Sequence, residues 1–296
     1  NRAPGEPPSP ALENVCDEED CIDERDHSCL KTLDCGHFCG GVRGESKCLP
    51  CYEGCDGGHL ERDDKCGICG WMDLGSSPVL ALGCGHAFHA GCLRGQLSAR
   101  WNGPVIAFGF MQCPHCRAEM VHEALEDLTG PLRKLRASVR TKAVTRLRYE
   151  GKDKDKELTT RGSPYYGDPE GYAEHIFAYY ECFKCKKPYY GGEKRCGVAR
   201  GDDFDPSELI CGACAPFSAE QSCDKHGTDS IEWKCRYCCS IAVWFCHGTT
   251  HYCDPCHSGA SSSSKPCPSV AGKEVEDGEC PLGIDHPPSG TEFALG

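Results

Sequence analysis

Residues 66–116 carry the pattern that decides the fold. It reads Cys66-Gly67-Ile68-Cys69, fourteen residues, Cys84-Gly85-His86-Ala87-Phe88-His89-Ala90-Gly91-Cys92, twenty residues, then Cys113-Pro114-His115-Cys116. Two thiolates three residues apart in a tight turn can both reach one ion at about 2.3 Å, the interval that zinc knuckles use. Working outward, the same C-x-x-C spacing recurs at 48/51, 182/185, 211/214, 235/238 and 253/256, making seven pairs in all. Independent placement of the 28 cysteines would give roughly two or three. Histidines sit among them at ligand distance, as in Cys223-x-x-His226. A disulfide framework has no use for histidine, so the spacing selects zinc and, with it, a reducing compartment, the cytoplasm or also the nucleus.

Composition agrees. Of 296 residues 39% are hydrophobic, and discounting cysteine leaves about 29%, thin for one large core. Small zinc-stabilised modules of α+β character are expected instead. A net charge of −13 argues against nucleic-acid binding, and no apolar run approaches a membrane span. The chain opens Asn1-Arg2-Ala3-Pro4 without Met or an apolar leader and reads as a piece of something longer.

The expected organisation is a disordered 1–15, a Cys-rich zinc cluster at 16–60, the eight-donor module at 61–120, a linker helix within 121–160, and a loop-rich cysteine domain at 161–296. In 16–60, the cysteines at 16, 21, 29, 35, 39, 48, 51 and 55 with His37 suffice for two ions, whose pairing the spacing leaves open. The linker helix is expected from Pro131, with Leu132, Leu135, Val139, Ala143 and Leu147 as its apolar stripe and its arginines and lysines as a solvated face. A second helix should restart at Asp168-Pro169-Glu170. Beyond it Cys182/Cys185, Cys211/Cys214, Cys223/His226, Cys235/Cys238 with Cys239, and Cys253/Cys256 form ligand-like groups, followed by Cys267, Cys280 and His286 singly.

Two cysteines stand apart from these groups. Cys196 follows Gly191-Gly192-Glu193-Lys194-Arg195, whose glycines allow a mobile loop and whose cations favour a thiolate. Cys246 lies in Trp244-Phe245-Cys246-His247-Gly248, with His257 eleven residues downstream beside a ligand pair. Either thiol, and His257, could instead be a long-range zinc ligand.

The ordered eight donors resemble a RING domain with two histidines. The resemblance implies that Cys66, Cys69, His89 and Cys92 share one zinc, and Cys84, His86, Cys113 and Cys116 its neighbour. It also implies contact with a ubiquitin-conjugating enzyme through Ile68, Pro114 and Trp101. From Cys66 onward the chain further resembles the C-terminal region of the Highwire and Myc-binding protein 2 family of ubiquitin ligases. The carrying motifs are Trp101-x-Gly103-Pro104-x-Ile106-x-Phe108-Gly109-Phe110, Tyr189-Tyr190-Gly191-Gly192-Glu193, Gly201-Asp202-Asp203-Phe204-Asp205-Pro206 and Lys234-Cys235-Arg236-Tyr237-Cys238-Cys239. Phe245-Cys246 with Gly248-Thr249-Thr250-His251 completes them.

That resemblance implies a RING with a cysteine relay. Cys196 would take ubiquitin from a charged conjugating enzyme, Cys246 would receive it, and a Thr or Ser hydroxyl of a protein substrate would end as the ester. His257 would be the general base and Glu208 its supporting carboxylate. His247, Tyr252 and Ala260 depart from the family's aromatic residues, leaving Thr against Ser open. Arg117, directly after the eighth donor, suits the alternative of a conventional RING that promotes transfer to lysine, the C-terminal region then binding substrate. A third reading is a zinc scaffold without transferase activity.

Overall fold

The computed structural model describes residues 22, 26–55, 57–194, 205–214, 231–259, 290 and 292–295. They fall into two units, Asn1–Trp101 with Ala107–Lys134, and Asn102–Ile106 with Leu135–Gly296. Both are small mixtures of short strands and helices built around clustered cysteines and histidines. No described helix is long and apolar enough to cross a membrane.

In the first unit, strands β1 (Val79–Ala81) and β2 (Ala87–His89) pair antiparallel, Leu80 opposite Phe88. Gly85, at a φ of +86°, closes their turn by donating from its amide to the Leu82 carbonyl at 2.8 Å. Helix α1 (Ala90–Ala99) follows without a linker. Val79, Leu80, Phe88, Leu93, Leu97, Met111, Met120 and Leu125 form a buried core. Leu74, Leu82 and Phe108 are buried as well, and a core of this size still leaves much of the unit to be held by other means.

Helix α2 (Glu126–Tyr149) begins five residues before the expected Pro131, which stands inside it. Buried Leu125 and Thr129 anchor the start, Thr129 Oγ1 donating to the Leu125 carbonyl at 3.0 Å, and Glu126 and Asp127 face the positive end of the helix dipole. These contributions offset the single backbone bond that Pro131 cannot donate. The apolar stripe is as the periodicity predicts, with Leu132, Val139, Ala143 and Leu147 buried and Leu135 half-buried.

The basic face differs from expectation. In the second unit, after the single turn α3 (Lys156–Thr159), helix α4 (Pro169–Ile176) starts at Asp168, whose side chain accepts from the Gly171 amide at 2.9 Å. Arg140 forks onto Glu174 of this helix at 3.1 and 3.2 Å, and Arg136 approaches the same carboxylate at 3.8 Å. Arg146 lies over the Tyr190 ring at 4.2 Å. These three cations therefore fasten α4 and the following sheet to α2, while Lys134, Lys142 and Arg148 are exposed as expected of a solvated face.

Strands β3 (Phe177–Glu181) and β4 (Pro188–Glu193) pair antiparallel, with Phe177, Tyr179 and Tyr180 buried. The 102–106 segment joins this unit as an added edge, Ile106 donating to the Tyr179 carbonyl at 2.8 Å. Three more short strands follow, β5 (Trp233–Lys234), β6 (Trp244–Cys246) and β7 (Thr250–Tyr252). Helix α5 (Asp254–Gly259) and strand β8 (Phe293–Ala294) complete the unit. β6 pairs with β7 and β5 with β8.

Candidate metal centres and the Cys246 hairpin

In the first unit the β1–β2 hairpin and α1 position three of the donors, His86, His89 and Cys92. Donor atoms of Cys66, Cys69, His89 and Cys92 lie within 4.8 Å of one another, as do those of Cys84, His86, Cys113 and Cys116. A tetrahedral zinc ion sets its donors about 3.5 Å apart for sulfur to nitrogen and about 3.8 Å for sulfur to sulfur. The structure gives 3.7 and 3.8 Å from His89 Nδ1 to Cys69 and Cys92, and 3.5 Å from His86 Nδ1 to Cys84. His89 Nε2 lies 2.9 Å from the Asp73 carbonyl, so it donates there and leaves Nδ1 bare as a ligand.

Two four-cysteine groups stand in the second unit, Cys182/Cys185/Cys211/Cys214 and Cys235/Cys238/Cys253/Cys256. Sulfur separations of 3.7 Å (Cys185 to Cys211) and 3.5 Å (Cys238 to Cys253) again match one ion's coordination sphere. The bond shared with Cys238 holds the Cys235 thiol down to about 4, and the same contact pushes Cys238 far up. Four thiols this close cannot all ionise unless a cation sits among them. Cys239 lies outside this group, whose four sulfurs already complete a tetrahedron. Lys234, 1% exposed, donates to the Cys235 and Cys238 carbonyls at 2.8 and 3.2 Å. Its ammonium would offset the double negative charge of four thiolates holding one divalent ion. These clusters fit zinc.

Cys246 ends β6 with 1% of its surface exposed, in a core with Cys235, Cys238, Tyr252, Cys253 and Cys256. Residues alternate across the hairpin: Phe245 stacks on His251 at 4.2 Å, while Trp244 and Cys246 face the other side with Tyr252 and Thr250. His257, on α5, stacks on Trp244 at 4.3 Å and meets Tyr252 edge-on, so it stands on the Cys246 side. Glu208 closes an exposed turn, and among the described residues it forms no hydrogen bond to His257. Cys196, Cys223, His226, Ala260, Cys267, Cys280 and His286 lie outside the described residues.

Gly191 and Gly192 are strand residues and not the mobile loop their type suggests. A Cβ on Gly192, whose φ is +112°, would lie 2.0 Å from the Phe245 carbonyl oxygen and 3.2 Å from Cys246 Cα. On Gly191 it would enter the Tyr180 ring at 2.1 Å. Tyr189 holds the hairpin turn from the same strand, its hydroxyl donating to the Gly248 carbonyl at 2.7 Å. Lys194 is likewise committed, to the Glu174 carbonyl, and burial lowers its pKa.

No family model matches the chain. It is 48% identical over 300 residues, 97% of its length, to "E3 ubiquitin-protein ligase MYCBP2" of Danio rerio. It is 44% identical over 310 residues, 96% of its length, to "E3 ubiquitin-protein ligase highwire" of Drosophila melanogaster. The chain belongs to the Highwire and Myc-binding protein 2 family. It spans 7% and 6% of the length of those two relatives.

In this family member, Ile68 is half-buried, Pro114 and Arg117 are exposed, and Arg117 holds a left-handed φ of +62°. Trp101 is half-buried, the Arg100 guanidinium 4.2 Å above its ring and Phe110 beside it. Trp71, two residues past Cys69 and 73% exposed, is a surface aromatic that the ligand pattern alone gave no reason to single out.

Proposed function

We propose that the chain is the catalytic part of a ubiquitin ligase that works through thioesters on Cys196 and then Cys246. The domain boundaries at 60, 120 and 160 and the reducing compartment belong to the same reading. Support comes from the two ligases it matches over nearly its whole length and from the eight ordered donors. The observation that carries the relay itself is the packing of β4 on the Cys246 hairpin. Four residues from Gly192 to Cys196 span at most about 14 Å, so the covalent chain tethers the two thiols near one another. Within such a reach, thiol-to-thiol transfer needs only proximity and thiolates.

In the first step the Cys196 thiolate attacks the thioester carbonyl of the charged conjugating enzyme, whose cysteine thiolate leaves. Cys246 repeats the exchange and Cys196 departs as thiolate. Cys246 is buried, so this step requires the β6–β7 hairpin to part from its packing. A Thr or Ser hydroxyl then attacks, His257 takes its proton, and Cys246 leaves, giving the ester. When bound, zinc supplies the fixed framework on which the hairpin and α5 are held. Glu208 is assigned a supporting role on the family's pattern.

The burial of Cys246 and the exposure of Arg117 favour a second reading, a conventional RING that discharges ubiquitin onto lysine. Loaded conjugating enzyme separates the two. The relay predicts adducts on the chain that reductant cleaves and a product that mild hydroxylamine cleaves. A hydroxylamine-resistant product, formed equally by Cys246→Ser, would overturn it. In either reading Ile68→Ala is expected to cut discharge by tenfold or more while retaining all metal, because it removes a partner contact and no ligand, an effect of about 1.4 kcal/mol or more. Discharge kinetics and zinc content measured on the same sample check this.

A further inference from the structure

In the first unit a third convergence of donors stands outside the eight-ligand module. Residues 27–43 form a ragged hairpin bridged at Ser28–Val42 and Thr32–Phe38, with its tip at Leu33–His37. At the tip Gly36 (φ +89°) donates to the Leu33 carbonyl at 2.9 Å, which sets Cys35 and His37 side by side. A second tight turn, closed by the Gly54 amide on the Cys51 carbonyl at 3.1 Å, presents Cys51 and Cys55. Cys35, His37, Cys51 and Cys55 bring their donor atoms within 4.8 Å of one another. His37 Nδ1 stands 3.5 Å from the sulfur of Cys51 and 3.5 Å from that of Cys55. That is the sulfur-to-nitrogen edge of a tetrahedral zinc site, about 3.5 Å. An imidazole equidistant from two sulfurs has no part in a disulfide.

We propose that Cys35, His37, Cys51 and Cys55 hold a zinc ion of their own, separate from the two RING-like centres, and that it is the most accessible of the five donor clusters described above. Three of its four ligands are exposed, whereas every ligand of the Cys235 group is buried. The segment needs the ion. Its buried aliphatic side chains are Val42 and Leu49, far too few to hold residues 27–55 folded. A metal that ties the hairpin tip to the 51–55 turn supplies what that core lacks.

The ion would also fix what the segment touches. Gly40 accepts from the Val79 amide of β1 at 2.9 Å. Glu45, buried, sits 3.2 Å from His122 Nε2, and the Ser46 amide donates to Glu123, both at the approach to α2. Loss of this zinc alone should therefore free residues 27–55 from the RING-like module and leave that module's own metals in place.

Native mass spectrometry of the full chain, with zinc release to excess 4-(2-pyridylazo)resorcinol, tests this. Cys55→Ala is expected to carry one zinc fewer than the unaltered chain and to lack its earliest release phase. His37→Cys, which exchanges one donor for another, should keep the full zinc count and change the rate of that phase only. An unchanged zinc count in Cys55→Ala overturns the site. Loss of two or more ions there overturns its independence. Should Cys55→Ala fail to fold, His37→Cys decides: a missing ion, or an early phase with unaltered rate, refutes the assignment.

Discussion

Gly192→Ala is expected to leave Cys196 chargeable by a loaded conjugating enzyme and to slow its transfer to Cys246 by about a hundredfold or more. The clash is with backbone. A Cβ at this position would stand 2.0 Å from the Phe245 carbonyl oxygen and 3.0 Å from its carbon, so no side-chain rotation relieves it. Relief requires β4 and β6 to separate by more than 1 Å, on the order of the misplacement that costs a positioned reaction a hundredfold. The φ of +112° adds strain of about 1 kcal/mol for any residue with a Cβ. Cys196 stays joined to β4, so its own loading survives while its relation to the hairpin is lost. Single-turnover transfer of labelled ubiquitin, with adducts located by peptide mapping, gives the answer. A Cys246 adduct forming at the unaltered rate in Gly192→Ala would mean that the packing of β4 on β6 does not serve transfer.

What could be read from the sequence was local. The eight-donor order is carried by short spacings whose chemistry is the same wherever the turn occurs, and Asp168-Pro169 announces a helix start through its own side chain. The start of α2 was misplaced because Pro131 is a strong local signal, while burial of Leu125 and Thr129 depends on the rest of the unit. Arg140 was read as solvated because its partner, Glu174, lies 34 residues away and belongs to a different helix. Pairing of Cys182/Cys185 with Cys211/Cys214, and of Cys35/His37 with Cys51/Cys55, is likewise set by how turns meet in space. Gly191-Gly192 is the sharpest instance. Glycine in sequence signals freedom, yet here the missing Cβ is used for close approach of two strands, which only the partner strand reveals.

His257→Asn should spare both thioesters and slow ester formation by about a hundredfold to ten-thousandfold, the range a positioned general base supplies. Thiol exchange runs between thiolates and needs no strong base, whereas a neutral hydroxyl must lose its proton as it attacks. The ring is held by rigid neighbours. It lies flat on Trp244 at an interplanar angle of 7°, and its helix begins directly after Cys253 and carries Cys256, two of the four donors of one centre. Alternation along β6 puts Trp244 and Cys246 on one face, so the imidazole and the thiol share a side of the hairpin. Asparagine retains polarity and approximate size but cannot accept the proton, which separates base catalysis from packing. His257→Phe supplies the complementary control, since it keeps the stack on Trp244 and also lacks the base. Both variants should accumulate ubiquitin on Cys246 and yield little hydroxylamine-sensitive product. Wild-type ester yield from both would remove His257 from the chemistry. Failure of His257→Asn alone, with His257→Phe active, would instead make the residue a packing element of the hairpin.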